Sequence, residues 1–256
     1  MFSYLANPQR FERFASAVSP WLLALCLALF AVGLPLALVT SPADYQQGDT
    51  VRIMYVHVPA AWLATLAWAF IAGASAVAFI WRHNLADRAA RAAAPFGLVM
   101  TILALVTGAI WGKPTWGTWW VWDARLTSVL VMAFLYIGYI AVWDAMEDQA
   151  KAARFARILA LVGFINVPII KFSVERWNSL HQPASILRSD GPTIAPEMLT
   201  PLLIMIAAYT LLFVWYVLTG VLTDVRRARA SRQAPAPVST LRALGANDPI
   251  SGVDHG

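Results

Sequence analysis

The sequence predicts an all-α membrane protein that crosses the bilayer six times, and three observations carry that fold class. Only 13% of its 256 residues are charged and 59% are hydrophobic, whereas a soluble domain carries about 25% charge. Six apolar runs occupy residues 21–39, 58–80, 95–111, 127–143, 155–170 and 201–222, and a helix needs roughly 17–25 such residues to cross the hydrocarbon core. Basic residues collect in alternate connecting segments, as they do where Lys and Arg mark the cytoplasmic side.

The first run has 19 apolar residues, more than the 7–15 of a signal-peptide core. It reads as a retained anchor despite the "SPAD" that follows. The fifth run is the marginal one. It contains Arg157, and Asn166 and Pro168 stand near its far end, so its last turn is expected to bend with the freed backbone groups satisfied by protein or water. The other runs span without difficulty.

With the N-terminus inside, thirteen of the 19 basic residues fall on the cytoplasmic side. They are Arg10, Arg13, Arg82, Arg88, Arg91, Lys151, Arg154, Arg157, Arg226, Arg227, Arg229, Arg232 and Arg242. Arg52, Lys113, Arg125, Lys171, Arg176 and Arg188 face outward. Both termini are therefore expected in the cytoplasm. The net charge of +5 is a topology signal, which removes the case for nucleic acid as a partner. Residues 1–225 form the expected membrane domain. Residues 226–256 are expected to be a basic, then disordered cytoplasmic tail, since their Pro, Ala, Ser and Gly show no sustained periodicity. Cys26 is the single cysteine and lies in an apolar run, so a disulfide framework or paired-thiol centre within one chain is excluded.

The unusual chemistry lies in the outward segments 40–57, 112–126 and 171–200. The stretch "IWGKPTWGTWWVWDARLTS" holds five of the chain's 12 tryptophans: Trp111, Trp116, Trp119, Trp120 and Trp122. Tryptophan gathers at membrane interfaces, which accounts for Trp21, Trp81, Trp143 and Trp62. It accounts less well for five so close together. At helical spacing Trp116, Trp119, Trp120 and Asp123 share one face while Trp122 looks elsewhere. A short interfacial helix here would offer an aromatic shelf for a large flat ligand. Interfacial anchoring is the simpler alternative.

His57, in "MYVHVPAAW", and His181, in "WNSLHQPAS", lie on the same side as this stretch. Each alone fits an interface or loop residue. As a pair they offer two neutral imidazoles, common metal ligands, to the two axial positions of a porphyrin iron. Haem also needs cations for its propionates, preferably guanidinium groups that grip a carboxylate at two points. Arg52, Lys113, Arg125, Arg176 and Arg188 are available, although snorkelling or solvated charges are an equal account of them. Asp123 fits orienting Arg125 or a backbone turn better than it fits touching the ligand.

"WGKPTWGTWWVWDARLTS" closely resembles the WWD motif of the haem-handling proteins of cytochrome c maturation. The six-helix length, "YVHVP" and "SVERWNSLHQPAS" are similar to those of the CcmC family, over about residues 10–225. The resemblance implies a bacterial inner-membrane protein with the tryptophan-rich loop in the periplasm between helices 3 and 4. It implies haem b held there as cargo, with axial ligands His57 and His181. Trp116, Trp119, Trp120 and Trp122 would form the platform, and Asp123 and Arg125 would complete the motif. It further implies delivery to the haem chaperone CcmE within a complex of the ATP-binding-cassette pair CcmA and CcmB and the small membrane protein CcmD, in contact with membrane lipid. One departure is Arg176–Trp177, where the family pattern pairs two tryptophans.

The ATPase belongs on another chain. The nearest phosphate-loop candidate, "TGAIWGKP", has Thr107 in place of the first glycine and Pro114 where Ser or Thr is required. Gly108 and Gly112 also fit a small-xxx-small helix contact, serving either internal packing or a partner. No nucleophile or catalytic dyad is evident, so the reading is a carrier and not an enzyme. The alternatives are a b-type electron-transfer cytochrome, which usually places its histidines mid-helix, a passive haem permease, and a haem ligase of the same superfamily.

Overall fold

Every apolar run is helical, the fifth as two helices in succession. The computed structural model describes residues 7–182, 185–186 and 188–233. The first helix, α1 (Pro8–Pro35), starts on Asn7, whose Oδ1 accepts the Gln9 and Arg10 amides at 2.9 and 3.4 Å. Pro8 sits at its first position, where no amide is required. It continues as a π-helical turn, Leu36–Thr40. A 3₁₀ turn, Asp49–Ile53, leads into α2 (Met54–Trp81), followed by α3 (Asn84–Trp116) and α4 (Ala124–Ala145). The fifth span consists of two helices, α5 (Gln149–Gly163) and α6 (Asn166–Arg176), and α7 (Pro196–Gln233) is the last. Among the described residues six spans are long and apolar enough to cross a membrane, α5 and α6 together counting as one. The chain is a multi-pass membrane protein.

The fifth span departs from expectation in where it breaks. It is interrupted at Phe164 and Ile165, in mid-span, and its last turn is not the site of the bend. Pro168 has no amide to donate to the Phe164 carbonyl, and that carbonyl instead accepts from the Val167 amide at 3.0 Å. The Asn166 side-chain amide donates to the Ser128 carbonyl on α4 at 2.8 Å. The break is thus bonded from within the chain, although the Phe164 and Ile165 side chains themselves are exposed.

The main core lies between α2, α3 and α4, with Leu63, Trp68, Ile71, Met132, Tyr136 and Tyr139 essentially sealed. Two glycines let these large rings in. A Cβ on Gly97 would stand 2.3 Å from the Tyr136 ring, and one on Gly163 would stand 2.6 Å from Trp68. Tyr136 donates its hydroxyl to the Ala64 carbonyl at 2.8 Å, so the buried phenol is satisfied. A smaller core of Ala37, Val51, Met54, Tyr55, Leu202 and Met205 sits at the other end of the bundle, with Trp111 of α3 and Ile186 and Ile194 of the segment after α6 packed against it.

The end carrying α1's start and α7's finish is tied by charge. Arg226 and Arg229 reach Glu12 at 3.1 and 3.5 Å, Arg88 reaches Asp224 at 3.3 Å, and Arg157 donates to Asp87 at 2.8 Å. Helix α7 runs through Arg226–Gln233, so the basic stretch beyond residue 225 is helical. The expected disordered tail otherwise lies outside the described residues, as do Arg242 and His255.

Candidate functional site

Helix α3 ends on Gly117, whose φ of +78° closes the helix in a left-handed turn as its amide donates to the Lys113 carbonyl at 3.0 Å. Glycine adopts that conformation without a Cβ clash. Residues 117–123 then run without helix until Asp123 caps α4. The expected interfacial helix is therefore absent from this segment. The left-handed turn at Gly117 and the capping geometry at Asp123 occupy both of its ends. The tryptophans still group, through turns and not through helical periodicity. Trp116 packs edge-on against His181, ring centroids 4.8 Å apart, and Trp120 packs edge-on against Trp122 at 5.4 Å. Trp119 and Trp122 are 58% and 77% exposed. The Trp120 indole Nε1 is buried without a hydrogen-bond partner.

His57 lies in the first turns of α2 and rests against α3. A Cβ on Gly108 would come within 3.0 Å of its Cε1, so that glycine makes room for the ring. Its Nδ1 lies 3.1 Å from Thr107 Oγ1, and Thr107 Oγ1 is also 2.6 Å from the Leu103 carbonyl. The single hydroxyl proton lies on the carbonyl contact, since a carbonyl can only accept. Nδ1 must then donate, which places the free lone pair on Nε2. Trp111 packs edge-on to His57 at 5.7 Å and is itself fixed by Nε1 donating to Gln47 at 2.7 Å.

His181 reaches the same state by another route. Ser179 donates its hydroxyl to Asp123 Oδ2 and accepts the His181 amide at 3.1 Å, and His181 Nδ1 donates to Asp123 Oδ2 at 3.1 Å. Asp123 Oδ1 meanwhile accepts the Leu126 amide at 2.7 Å. One carboxylate thus caps α4 and holds an imidazole 58 residues away. Burial alone would raise the Asp123 carboxyl, but Ser179, the Leu126 amide and His181 outweigh it and hold the group below its ordinary 3.8. Burial lowers His181 beneath 6.5, offset in part by Asp123. At neutral pH the pair is a carboxylate beside a neutral imidazole, the arrangement found behind metal-ligating histidines.

His57 stands near enough to His181 and Arg125, and His181 near enough to Arg125, for a charge on one to act on the other. Arg125 donates Nε to Ser173 on α6 at 3.1 Å. His57, His181, Trp111, Trp116, Asp123 and Arg125 are therefore one neighbourhood at one end of the bundle, drawn from α2, α3, α4 and the segment after α6.

The family model for heme exporter protein C, CcmC, matches residues 1–235. The chain belongs to that family. A heme exporter protein C from Bradyrhizobium diazoefficiens is 52% identical over 225 residues, 88% of this chain and 85% of the relative. One from Escherichia coli strain K12 is 46% identical over 208 residues, covering 81% and 84%. One from Haemophilus influenzae is 44% identical over 227 residues, covering 89% and 92%.

In this member of the heme exporter protein C family, two residues read from sequence have partners that were not foreseen. Arg52 is engaged by the end of the first span. Its guanidinium donates to the Leu38 and Ser41 carbonyls at 3.1 and 3.2 Å and pairs with Asp49 at 3.2 Å. It ties down the end of the first span, whose π turn leaves carbonyls in want of donors. Asp123 was expected to orient Arg125 or a turn; besides capping α4, it holds His181. Thr107, Ser179, Ser173, Gln47 and Trp111 were not singled out as site residues. The "TGAIWG" signal that could have exposed two positions was weighed as a phosphate loop or helix contact. Gly108 serves His57, and Gly112 admits the Trp116 ring, which a Cβ there would meet at 3.0 Å.

Proposed function

We propose that the chain holds haem b, as cargo, at the periplasmic face of the bacterial inner membrane and passes it to CcmE for c-type cytochrome biogenesis. His57 and His181 cap the iron through Nε2, and Trp116, Trp119, Trp120 and Trp122 support the ring. Arg125 is placed to meet a propionate, and the unpartnered Trp120 Nε1 is a second donor for one. The observation that carries this reading is a matched contact: in both histidines Nδ1 lies against a protein oxygen. Two imidazoles from separate segments each give up Nδ1–H to protein, leaving Nε2 for a metal. The family's name, heme exporter protein C, points the same way.

In this reading CcmA and CcmB supply ATP hydrolysis, CcmD completes the complex, and the present chain is a carrier without a chemical step. Release requires an open edge, and the exposed Trp119 and Trp122 leave one for a docking partner. The outward placement follows from the excess of Lys and Arg at the opposite ends of the helices.

Purified chain is expected to bind haem one to one as a six-coordinate low-spin species. His57→Ala and His181→Ala should each convert it to a five-coordinate or weak-field spectrum. Spectra unchanged in both variants would remove the ligand assignment, and failure of the loaded chain to transfer haem to CcmE would favour a b-type electron carrier.

A further inference from the structure

The two imidazoles share a tautomer but not a partner. Behind His181 stands an ionised carboxylate, itself clamped by the Ser179 hydroxyl and the Leu126 amide, with the Asp123 side chain only 7% exposed. Behind His57 stand two neutral groups, the Thr107 hydroxyl, whose proton already belongs to the Leu103 carbonyl, and the Ala104 carbonyl. Hydrogen bonds to charged acceptors are roughly twice as strong as neutral ones. A carboxylate drawing on Nδ1–H leaves more electron density on Nε2 and makes the better ligand.

The elements that carry the two rings also differ. His57 is fixed in the opening turns of α2, with its ring against Gly108. His181 belongs to the non-helical segment after α6, and its bonds to Asp123 and Ser179 tie it to the N-terminus of α4.

We infer that the two ligands are unequal by construction: His181 is the anchoring ligand, and His57 is the one that lets go first when haem leaves. Asp123 and Thr107 are the positioning residues that set this order. The inference rests on the reading that both histidines bind haem iron, and it adds the sequence in which those bonds break.

The test uses the full-length chain loaded with ferric haem in detergent. Haem loss to excess apomyoglobin is timed, and the reduction potential is recorded. Asp123→Asn retains an α4 cap, because asparagine caps as well as aspartate, but replaces the charge. It should speed haem loss by about ten- to a hundred-fold, the usual effect of losing such an outer partner, and raise the potential. Thr107→Val, which keeps the shape and removes the hydroxyl, should produce a clearly smaller change in both. His181→Gly should lose haem faster than His57→Gly. A Thr107→Val effect equal to that of Asp123→Asn, or faster loss from His57→Gly, would overturn the order while leaving two-histidine ligation standing. A wild-type spectrum that is not six-coordinate would overturn both.

Discussion

Burial keeps the His181 imidazole neutral further into acid than a free histidine, even with Asp123 working against it. The unfolded chain takes up this proton near 6.5, the folded chain only at lower pH. The stabilising contribution is therefore complete above 6.5 and declines as pH falls toward the folded value. Trp116 reports the event, because its ring lies 4.8 Å from that of His181 and a protonated imidazole quenches indole emission. Acid titration of the haem-free chain should show a fluorescence decrease with a midpoint below 6.5 that disappears in Trp116→Phe. A midpoint at or above 6.5 would contradict the burial. Residue type singled out His57, His181 and the tryptophans in sequence, and the structure packs His57 on Trp111 and His181 on Trp116. Their partners were not readable, because Thr107 lies 50 residues from His57 and Asp123 lies 58 from His181. No local pattern spans such a gap.

Helices α2, α3 and α4 close together only because Gly97 lacks a side chain where Tyr136 enters. Gly97→Ala sets a methyl 2.3 Å from that ring, forcing Tyr136 off its bond to Ala64. Overpacking of this kind costs about 1–3 kcal/mol, so the thermal unfolding midpoint in detergent should fall while haem ligation, remote from Gly97, keeps its spectrum. An unchanged midpoint would mean the ring moves aside freely. Element by element, the apolar runs located all six spans, since length and hydropathy are local properties. The interruption at Phe164–Ile165 was foreseen in kind through Pro168 but misplaced, because Gly163 against Trp68 and Asn166 against Ser128 are tertiary contacts. The tryptophan segment was misread as helix for a similar reason. Helical periodicity was imposed on residues that Gly117 and the Asp123 cap place in turns.

Over the whole molecule, chemistry is divided between the two ends. One end collects His57, His181 and the tryptophans between 111 and 122; the other ties helices together through pairs such as Arg226 with Glu12 and Arg88 with Asp224. Exposed pairs of this sort contribute only about 0–1 kcal/mol each, so their use is to register the first helix against the last. The asymmetry makes a topology prediction. Cys26 is buried, so it leaves a quiet background for labelling. A cysteine at Gly191 should react with an impermeant maleimide in intact cells once the outer membrane is permeabilised. One at Ser231 should react only after the inner membrane is opened, and the reverse pattern would invert the proposed orientation. Charge counting supplies the proposed orientation, because basic residues sort by side independently of how helices pack.

Trp119 and Trp122 lie largely uncovered at the lip of the bundle. A porphyrin resting on them trades shelter for access, and small oxidants can reach whatever a docking protein can. Loaded chain should bleach in dilute hydrogen peroxide much faster than a globin does, and capping the lip with the acceptor should slow it, so the cargo's safety depends on brief residence.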